Sequence, residues 1–223
     1  MKIFIFVTLF FVSNILALAQ IELKGVMGIY FLSVPSMQDY INQSGLASSN
    51  NQLESFVSSA EFAVEGGFFL SKSFEITLEV AYQIYSFTDV KPQGKDELSF
   101  NNLMPSLMGY YVLSGDGYNF KFGGGAGVRF VSVDETRNTS VAKTNYSSVG
   151  FGTILRIEGN TLLGGNVYAN IGADIRYDVN GEPENALGEK LVYRSQNENE
   201  NVNFNTLSIG VRLGITYIIG GND

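Results

Sequence analysis

The sequence predicts an all-β fold, an eight-stranded antiparallel up-and-down transmembrane β-barrel with short turns at one end and long loops at the other. Three observations support this prediction. Apolar and polar residues alternate with period two in most segments, for example in "VYANIGADIRYDV" at 167–179. Short and long links between these segments follow each other in turn. The 223 residues include 25 Gly, 12 Tyr and 17 Phe, and only 16% are charged, whereas about 25% is usual in soluble domains.

The first 19 residues are predicted to be a cleaved signal peptide. Lys2 precedes a long apolar run, and Ala17-Leu18-Ala19 precedes Gln20, which together give the basic, apolar and small-residue regions of a secretory signal. A membrane-anchoring helix is the alternative, because the apolar run is fairly long. With cleavage after Ala19, residues 20–223 form a single barrel domain.

The eight strands are predicted from the alternation and from the turn residues between them. In chain order they cover about 21–34, 56–70, 74–87, 98–113, 120–133, 144–158, 167–179 and 204–219. The links after the second, fourth and sixth strands are short and rich in Gly, Ser, Asn or Asp. The other links, at 35–55, 88–97, 134–143 and 180–203, are longer and more polar. Because the two kinds alternate, all tight turns lie at one end of the barrel.

Two of the long links carry further signals. The link at 35–55 is expected to contain a short helix with Ser36 as its N-cap and Gly45 at its end. The acidic link at 180–203 contains "ENALGEK" and "SQNENENVN", a polar composition that is typical of mobile segments.

The direction of the apolar faces decides between a soluble and a membrane barrel. Apolar residues facing inward would give a soluble, lipocalin-like cup with its charges in water. Two features disfavour this alternative. The polar faces are rich in glycine, as in "FKFGGGAGVRF" at 120–130, which fits a narrow lumen better than a solvated exterior. The apolar faces also carry more aromatic residues than an eight-stranded interior can hold, and outward-facing aromatics match a bilayer-facing band.

The charged residues of the polar faces are predicted to form a network inside the lumen. They are Glu22, Lys24, Glu61, Glu65, Glu75, Glu79, Lys121, Arg129, Arg156, Glu158, Asp174, Arg176 and Arg212. An eight-stranded interior is just wide enough for side chains to fill. The network is therefore expected to stabilise and plug the barrel, and the alternative is an ion-selective or gated conduit.

With its signal, its eight strands, the alternation of short and long links and phrases such as "FKFGGGAGVRF", the sequence resembles the small bacterial outer-membrane β-barrels. This superfamily includes the OmpA transmembrane domain, OmpX and OmpW. The resemblance implies location in the outer membrane of a Gram-negative bacterium, with the turns in the periplasm and the loops outside. It also implies contact with lipid and lipopolysaccharide and insertion by the outer-membrane assembly machinery. Many such barrels end on an aromatic residue, whereas this chain continues "TYIIGGND".

Composition excludes several classes of function. The chain has no Cys and no His, so disulfides, a Ser-His-Asp triad and an imidazole metal site are all excluded. We therefore expect no enzyme, metal site or cofactor. The net charge of −8 argues against nucleic acid as a partner.

The function predicted from the sequence is a monomeric outer-membrane barrel with a structural or surface-interaction role. The main alternative is OmpW-like passage or binding of small hydrophobic molecules, which an apolar patch in the extracellular half of the lumen would support. A soluble periplasmic carrier is a further alternative. An extracellular protein or a small hydrophobic ligand remain candidate partners.

Overall fold

Eight long strands close into a barrel in this computed structural model, which describes residues 20–138, 143–195 and 198–220. The elements in chain order are β1 (Ile21–Ser33), α1 (Pro35–Gln43), β2 (Val57–Ser71), β3 (Phe74–Lys91), β4 (Gly94–Gly115), β5 (Tyr118–Thr136), β6 (Thr144–Gly164), β7 (Val167–Asn180), β8 (Val192–Ser195), β9 (Glu198–Asn201) and β10 (Thr206–Ile219). The order around the barrel is β1-β10-β7-β6-β5-β4-β3-β2, and β8 and β9 form a separate hairpin. The predicted signal at 1–19 lies outside the described residues.

The first and last barrel strands close the ring. β1 and β10 are antiparallel and pair from Ile21 with Ile219 to Ser33 with Leu207. Each of the other seven neighbouring pairs is also antiparallel. Closure satisfies the backbone hydrogen-bonding groups within the sheet, which a strand exposed to lipid requires. The predicted fold class is confirmed.

Several strands are longer than predicted at the end that carries the long links. β3 continues to Lys91 and β4 begins at Gly94, so the predicted link at 88–97 is mostly a protruding hairpin in which Val90 pairs with Lys95. The sequence predicted a loop here because polar residues such as Asp89 and Asp96 are typical of loops. In the hairpin both carboxylates are buried, and Lys91 pairs with each of them.

The predicted helix in the first long link is present as α1, but its predicted cap is wrong. Val34 occupies the N-cap position without a side-chain hydrogen bond, and Pro35 begins the helix, as proline's fixed φ favours. Ser36 lies in the first turn, where its Oγ accepts a hydrogen bond from the Asn203 N–H at 3.1 Å. At the other end Gly45 has a φ of +79°, which ends the helix as predicted.

The acidic link also differs from the expectation of a mobile segment. It contains the β8–β9 hairpin, in which Val192 pairs with Asn201. Before the hairpin, Glu184 bridges to Ser147 and so continues the β6–β7 ladder beyond the barrel wall. After it, Phe204 is fully buried. Among its many charged residues, this link thus also contains apolar residues that are buried in the structure.

Apolar residues face outward from the barrel and charged residues face inward. Leu78, Leu107, Leu155 and Val211, on four different strands, are 59–68% exposed. This orientation is the reverse of a soluble ligand-binding barrel. No helix within the described ranges is long and apolar enough to cross a membrane.

Two inward-facing tyrosines lie across glycines of neighbouring strands. The Tyr30 ring occupies the space that a Cβ on Gly210 would need, and the Tyr110 ring does the same at Gly123. Only glycine permits the ring to lie this close to the wall. Both tyrosines are almost completely buried, so they shape the lumen from its sides.

Candidate functional site: the charged lumen and its apolar cap

The thirteen charged residues predicted to face the lumen all lie on the inward face of the barrel. Each has at most 4% of its surface exposed. They come from seven of the eight barrel strands, and β4 contributes polar and aromatic groups such as Ser106 and Tyr110 instead. The period-two alternation of each strand places them there.

The cluster nearest the tight turns joins two lysines to three carboxylates. Lys121 Nζ lies 2.6 Å from Glu22 Oε1 and 2.6 Å from Glu75 Oε2. Lys24 Nζ lies 3.3 Å from Glu22 Oε1 and also contacts Glu158. Each buried charge therefore has an opposite charge beside it, as burial requires.

The central cluster is built around Glu79 and Asp174. Arg156 donates two hydrogen bonds to Glu79, at 2.6 and 2.9 Å, and Arg212 donates a third at 2.7 Å. Asp174 Oδ2 lies 3.0 Å from both Arg156 and Arg176. Paired hydrogen bonds between guanidinium and carboxylate fix both distance and plane, so this cluster is rigid.

Two further glutamates extend the central cluster in opposite directions. Glu61 accepts two hydrogen bonds from Arg176, one of them at 2.9 Å. Glu65 lies 3.2 Å from Arg156 Nη1 and 3.3 Å from Lys24 Nζ. Glu65 therefore connects the central cluster to the cluster near the turns, so the charges of these two clusters form one continuous network.

Two residues that contact the predicted charges, Asp178 and Tyr30, were not among the sequence predictions. Asp178 lies 2.5 Å from Arg129 Nε. The Tyr30 hydroxyl accepts a hydrogen bond from Arg176 at 2.9 Å and donates one to Asp174 at 3.0 Å. Asp178 lies on the same inward face of β7 as Asp174 and Arg176, so the alternation could have identified it. Tyr30 likewise lies on the same inward face of β1 as Lys24.

Near the tight turns the lumen changes from charged to amide groups. Asn160 donates to Asn119 at 2.8 Å and accepts from Asn170 at 2.9 Å. Beyond them lies an open vestibule of about 410 Å³, lined in part by Lys72 and Tyr168. The vestibule ends at the asparagines.

At the opposite end an apolar cluster, here called the cap, fills the mouth of the barrel. The inner wall contributes Leu32, Tyr85, Phe87, Leu98, Phe100, Val131 and Val133, and the loops contribute Val34, Met37, Tyr40, Ile41, Leu46, Leu191, Tyr193, Val202 and Phe204. Phe100 and Phe204 stack with their ring centroids 5.4 Å apart. The lumen is thus lined with apolar residues at this end, but the protein's own side chains occupy it.

Polar contacts fasten the cap to the protruding strands. Tyr40 donates to Glu135 at 2.8 Å and accepts from Arg137 at 3.0 Å, while Arg137 also donates to the Ser44 carbonyl at 3.0 Å. Burial raises the pKa of Tyr40, and Glu135 raises it further. Burial alone would lower the pKa of Arg137, but Tyr40 and Glu135 outweigh it and raise this pKa. The tyrosine is therefore neutral and the arginine charged at physiological pH.

A second fastening lies on the β3–β4 hairpin. Lys91 Nζ donates to the carbonyls of Gly45 and Leu46 at 2.7 and 3.0 Å. The same ammonium lies 2.5 Å from Asp96 Oδ2. The segment after α1 is therefore held against the wall.

Comparison with known proteins rests on structure, since no protein-family model and no curated protein matches the sequence. Ail, the attachment invasion locus protein of Yersinia pestis, superimposes with a TM-score of 0.53 at 8% sequence identity. The match covers 90% of this chain and 99% of Ail. That structure is a complex of Ail with the heparin analogue sucrose octasulfate. A major outer membrane protein from Thermus thermophilus superimposes with a TM-score of 0.51 at 15% identity, over the same two shares. The chain has the fold of the small outer-membrane β-barrels.

In an outer-membrane β-barrel the short turns face the periplasm and the long loops face the exterior. By analogy with such barrels, the end with the vestibule and the lysine cluster is here called the periplasmic end, and the end with the cap is called the extracellular end. An outer-membrane location agrees with the apolar outer wall and the polar lumen. Lipid, including lipopolysaccharide, is the environment of such a wall.

Proposed function

We propose that the protein is a closed integral outer-membrane barrel with a structural or surface-interaction role, and that its lumen does not conduct. The observation that carries this proposal is the continuous filling of the interior. The asparagines, the charged network and the cap follow one another along the lumen, and the charged side chains are at most 4% exposed. An interior of eight strands leaves little space beyond its own side chains.

An ion crossing this barrel would have to separate charges that are already paired. It would part Arg156 from Glu79 and Lys121 from Glu22, which lie 2.6 Å apart in both cases. Breaking a buried ion pair costs about 3–5 kcal/mol. The apolar cap, in which Phe204 stacks on Phe100, would add a second barrier.

The proposed surface role belongs to the extracellular end. The two fastenings hold the loops in one arrangement, so a partner would meet a preformed surface. Glu182, Glu184 and Glu189 give the acidic link an exposed negative face. This charge disfavours a polyanion of the kind bound to Ail, and it favours a protein partner with basic residues.

Reconstitution into planar lipid bilayers tests the closed lumen. We expect no stepwise current from the wild-type protein. A triple variant, Glu79→Ala, Arg156→Ala and Arg212→Ala, combined with Phe204→Ala in the cap, serves as the control that shows an opened lumen can be detected. Regular wild-type current steps that follow salt concentration would contradict the proposal and favour the conduit.

Passage or binding of small hydrophobic molecules is the second candidate, because the inner wall is apolar in the extracellular half. Phe100 and Val133 belong to that wall, but Phe204 stacks on Phe100, and Tyr40 is part of the same buried cluster. A ligand would therefore have to displace the cap. Binding of the fluorescent probe N-phenylnaphthylamine by the wild-type barrel in detergent would support this carrier role, whereas binding only after Phe204→Ala supports the closed barrel.

The proposal includes the route to the membrane. Removal of residues 1–19, insertion by the outer-membrane assembly machinery and a monomeric state all belong to it, and no catalytic role is assigned. Outer-membrane fractionation, a mobility shift on boiling in SDS and an intact mass starting at Gln20 are the expected results. A soluble periplasmic protein without the shift would contradict the proposal.

A further inference from the structure

Two adjoining grooves cross the lipid-facing wall formed by β5, β6, β7 and β10. Their volumes are about 410 and 340 Å³. Both are lined by Phe122, Ile157 and Ala173, which therefore mark where one groove continues into the other. Together they form a single depression, here called the wall groove.

The wall groove exists because small residues face outward between large ones. Ala173 pairs with Ile157 on β6 and with Val211 on β10, and its methyl group leaves a gap between these longer side chains. One level nearer the turns, Gly159 has no side chain, and the Phe120 ring leans over it. The two small residues thus leave a depression among the longer side chains that surround them.

The lining offers nothing to a polar ligand. Lys121, Arg156, Glu158 and Asp174 border the wall groove, but their side chains point into the lumen and are at most 4% exposed. Only their backbone reaches the groove, and it is already paired within the sheet. An occupant must therefore be a narrow, flexible hydrocarbon.

The position of the wall groove indicates the source of that hydrocarbon. It begins at Gly159, two outward-facing positions from Leu163 at the periplasmic end of β6. From there it runs past Ala173 toward Ile175 and Ile209. Its beginning lies on the side of the periplasmic leaflet, which in an outer membrane consists of phospholipid.

We propose that the wall groove binds one acyl chain of a phospholipid from the periplasmic leaflet. The groove is continuous with the lipid-facing surface, so such a chain reaches it without leaving the bilayer. A second barrel would present a broad row of side chains from several strands, whereas this depression is centred on the two small residues Gly159 and Ala173. This site goes beyond the proposed function and does not depend on a closed lumen.

Native mass spectrometry tests the proposal. The wild-type protein is reconstituted in vesicles of phosphatidylethanolamine and phosphatidylglycerol, with and without added lipopolysaccharide, then transferred to detergent. Ala173→Phe fills the groove, and Ala173→Leu is a milder version in case the larger residue impairs folding. Ala126→Phe is the matched control, because Ala126 also faces outward on the wall but lines neither groove. A mobility shift on boiling verifies that each variant is folded.

The expected result is one retained phospholipid per barrel for the wild-type protein and for Ala126→Phe. Both Ala173 variants should retain at least tenfold less. Equal retention by all four proteins, or no retained lipid in the wild type, would overturn the proposal. Retention of lipopolysaccharide in place of phospholipid would also overturn it, since the source would then be the other leaflet.

Discussion

Replacing Glu79 by Gln is expected to destabilise the barrel by about 3 kcal/mol. Glu79 is fully buried and accepts hydrogen bonds from Arg156 at 2.6 and 2.9 Å and from Arg212 at 2.7 Å. Gln keeps the shape and one oxygen acceptor but removes the negative charge. Two further donors of Arg212, Nε and Nη2, find no acceptor among the described residues. Asp174 Oδ2 lies 3.7 Å from Arg212 Nη1, too far for a strong hydrogen bond, so it replaces Glu79 only in part.

The magnitude follows from the cost of leaving a buried charge without its partner, about 3–5 kcal/mol. Because Gln retains one acceptor, the lower end of this range applies. A loss of about 3 kcal/mol reduces the ratio of folded to unfolded protein by roughly a hundredfold.

Urea unfolding in phosphatidylcholine vesicles measures this change, with the folded fraction read from the mobility shift in SDS. Glu97→Gln is the matched control, because the Lys95–Glu97 pair is also short, at 2.6 Å, but partly exposed. Such surface pairs contribute about 0–1 kcal/mol. The double variant Glu79→Gln, Arg212→Met removes one charge of each sign and should recover part of the loss. If Glu79→Gln costs no more than Glu97→Gln, the reasoning about the buried network is refuted.

Three other perturbations have definite expected outcomes. Tyr30→Phe removes two hydrogen bonds to charged groups, so a loss of about 2 kcal/mol should appear in the same urea titration; an unchanged midpoint would contradict the assigned contacts. Gly210→Ala places a Cβ against the Tyr30 ring and should cost about 1–3 kcal/mol, a loss that the added change Tyr30→Ala should relieve. The Asn51 amide and the N–H and hydroxyl of Ser48 hold the pKa of Asp89 below its usual value. The folded pKa is thus below the unfolded one, so this anchorage is complete above about pH 4 and is lost as the pH falls through the folded pKa. Hydrogen exchange of amides 46–53, corrected for its intrinsic pH dependence, should accelerate there in the wild type and at all pH values in Asp89→Ala.

The barrel could be predicted because the alternation of apolar and polar residues in its strands is visible in the sequence. A strand between lipid and a filled lumen must alternate, so Leu207, Ile209 and Val211 identify the outward face of β10 without further information. The same parity placed Arg212 inside. Ion partners were not predictable, since they depend on which strands become neighbours across the lumen. Glu79 on β3 meets Arg212 on β10, residues that lie 133 positions apart.

The part of the cap that comes from the link at 180–203 and from Phe204 was missed for a different reason. Its residues lie in links whose overall composition is polar, so Leu191, Val202 and Phe204 are outnumbered by charged and amide neighbours. Each of them buries its side chain against a wall that the local sequence does not contain. The signal lies in their spacing around the β8–β9 hairpin, which pairs Val192 with Asn201. The average composition of the link does not show this spacing, and for that reason it indicated a mobile loop.

The cap also limits how the exterior of this protein can evolve. Loops that face antibodies or phages usually vary freely, because they pack against nothing. Here the stacking of Phe204 on Phe100 ties an external loop to the barrel wall, so these two positions should change together or not at all. Leu187, which is 83% exposed at a loop tip, has no such tie. Variation among strains is expected to accumulate around that tip, whereas the residues buried beneath the loops are expected to stay constant.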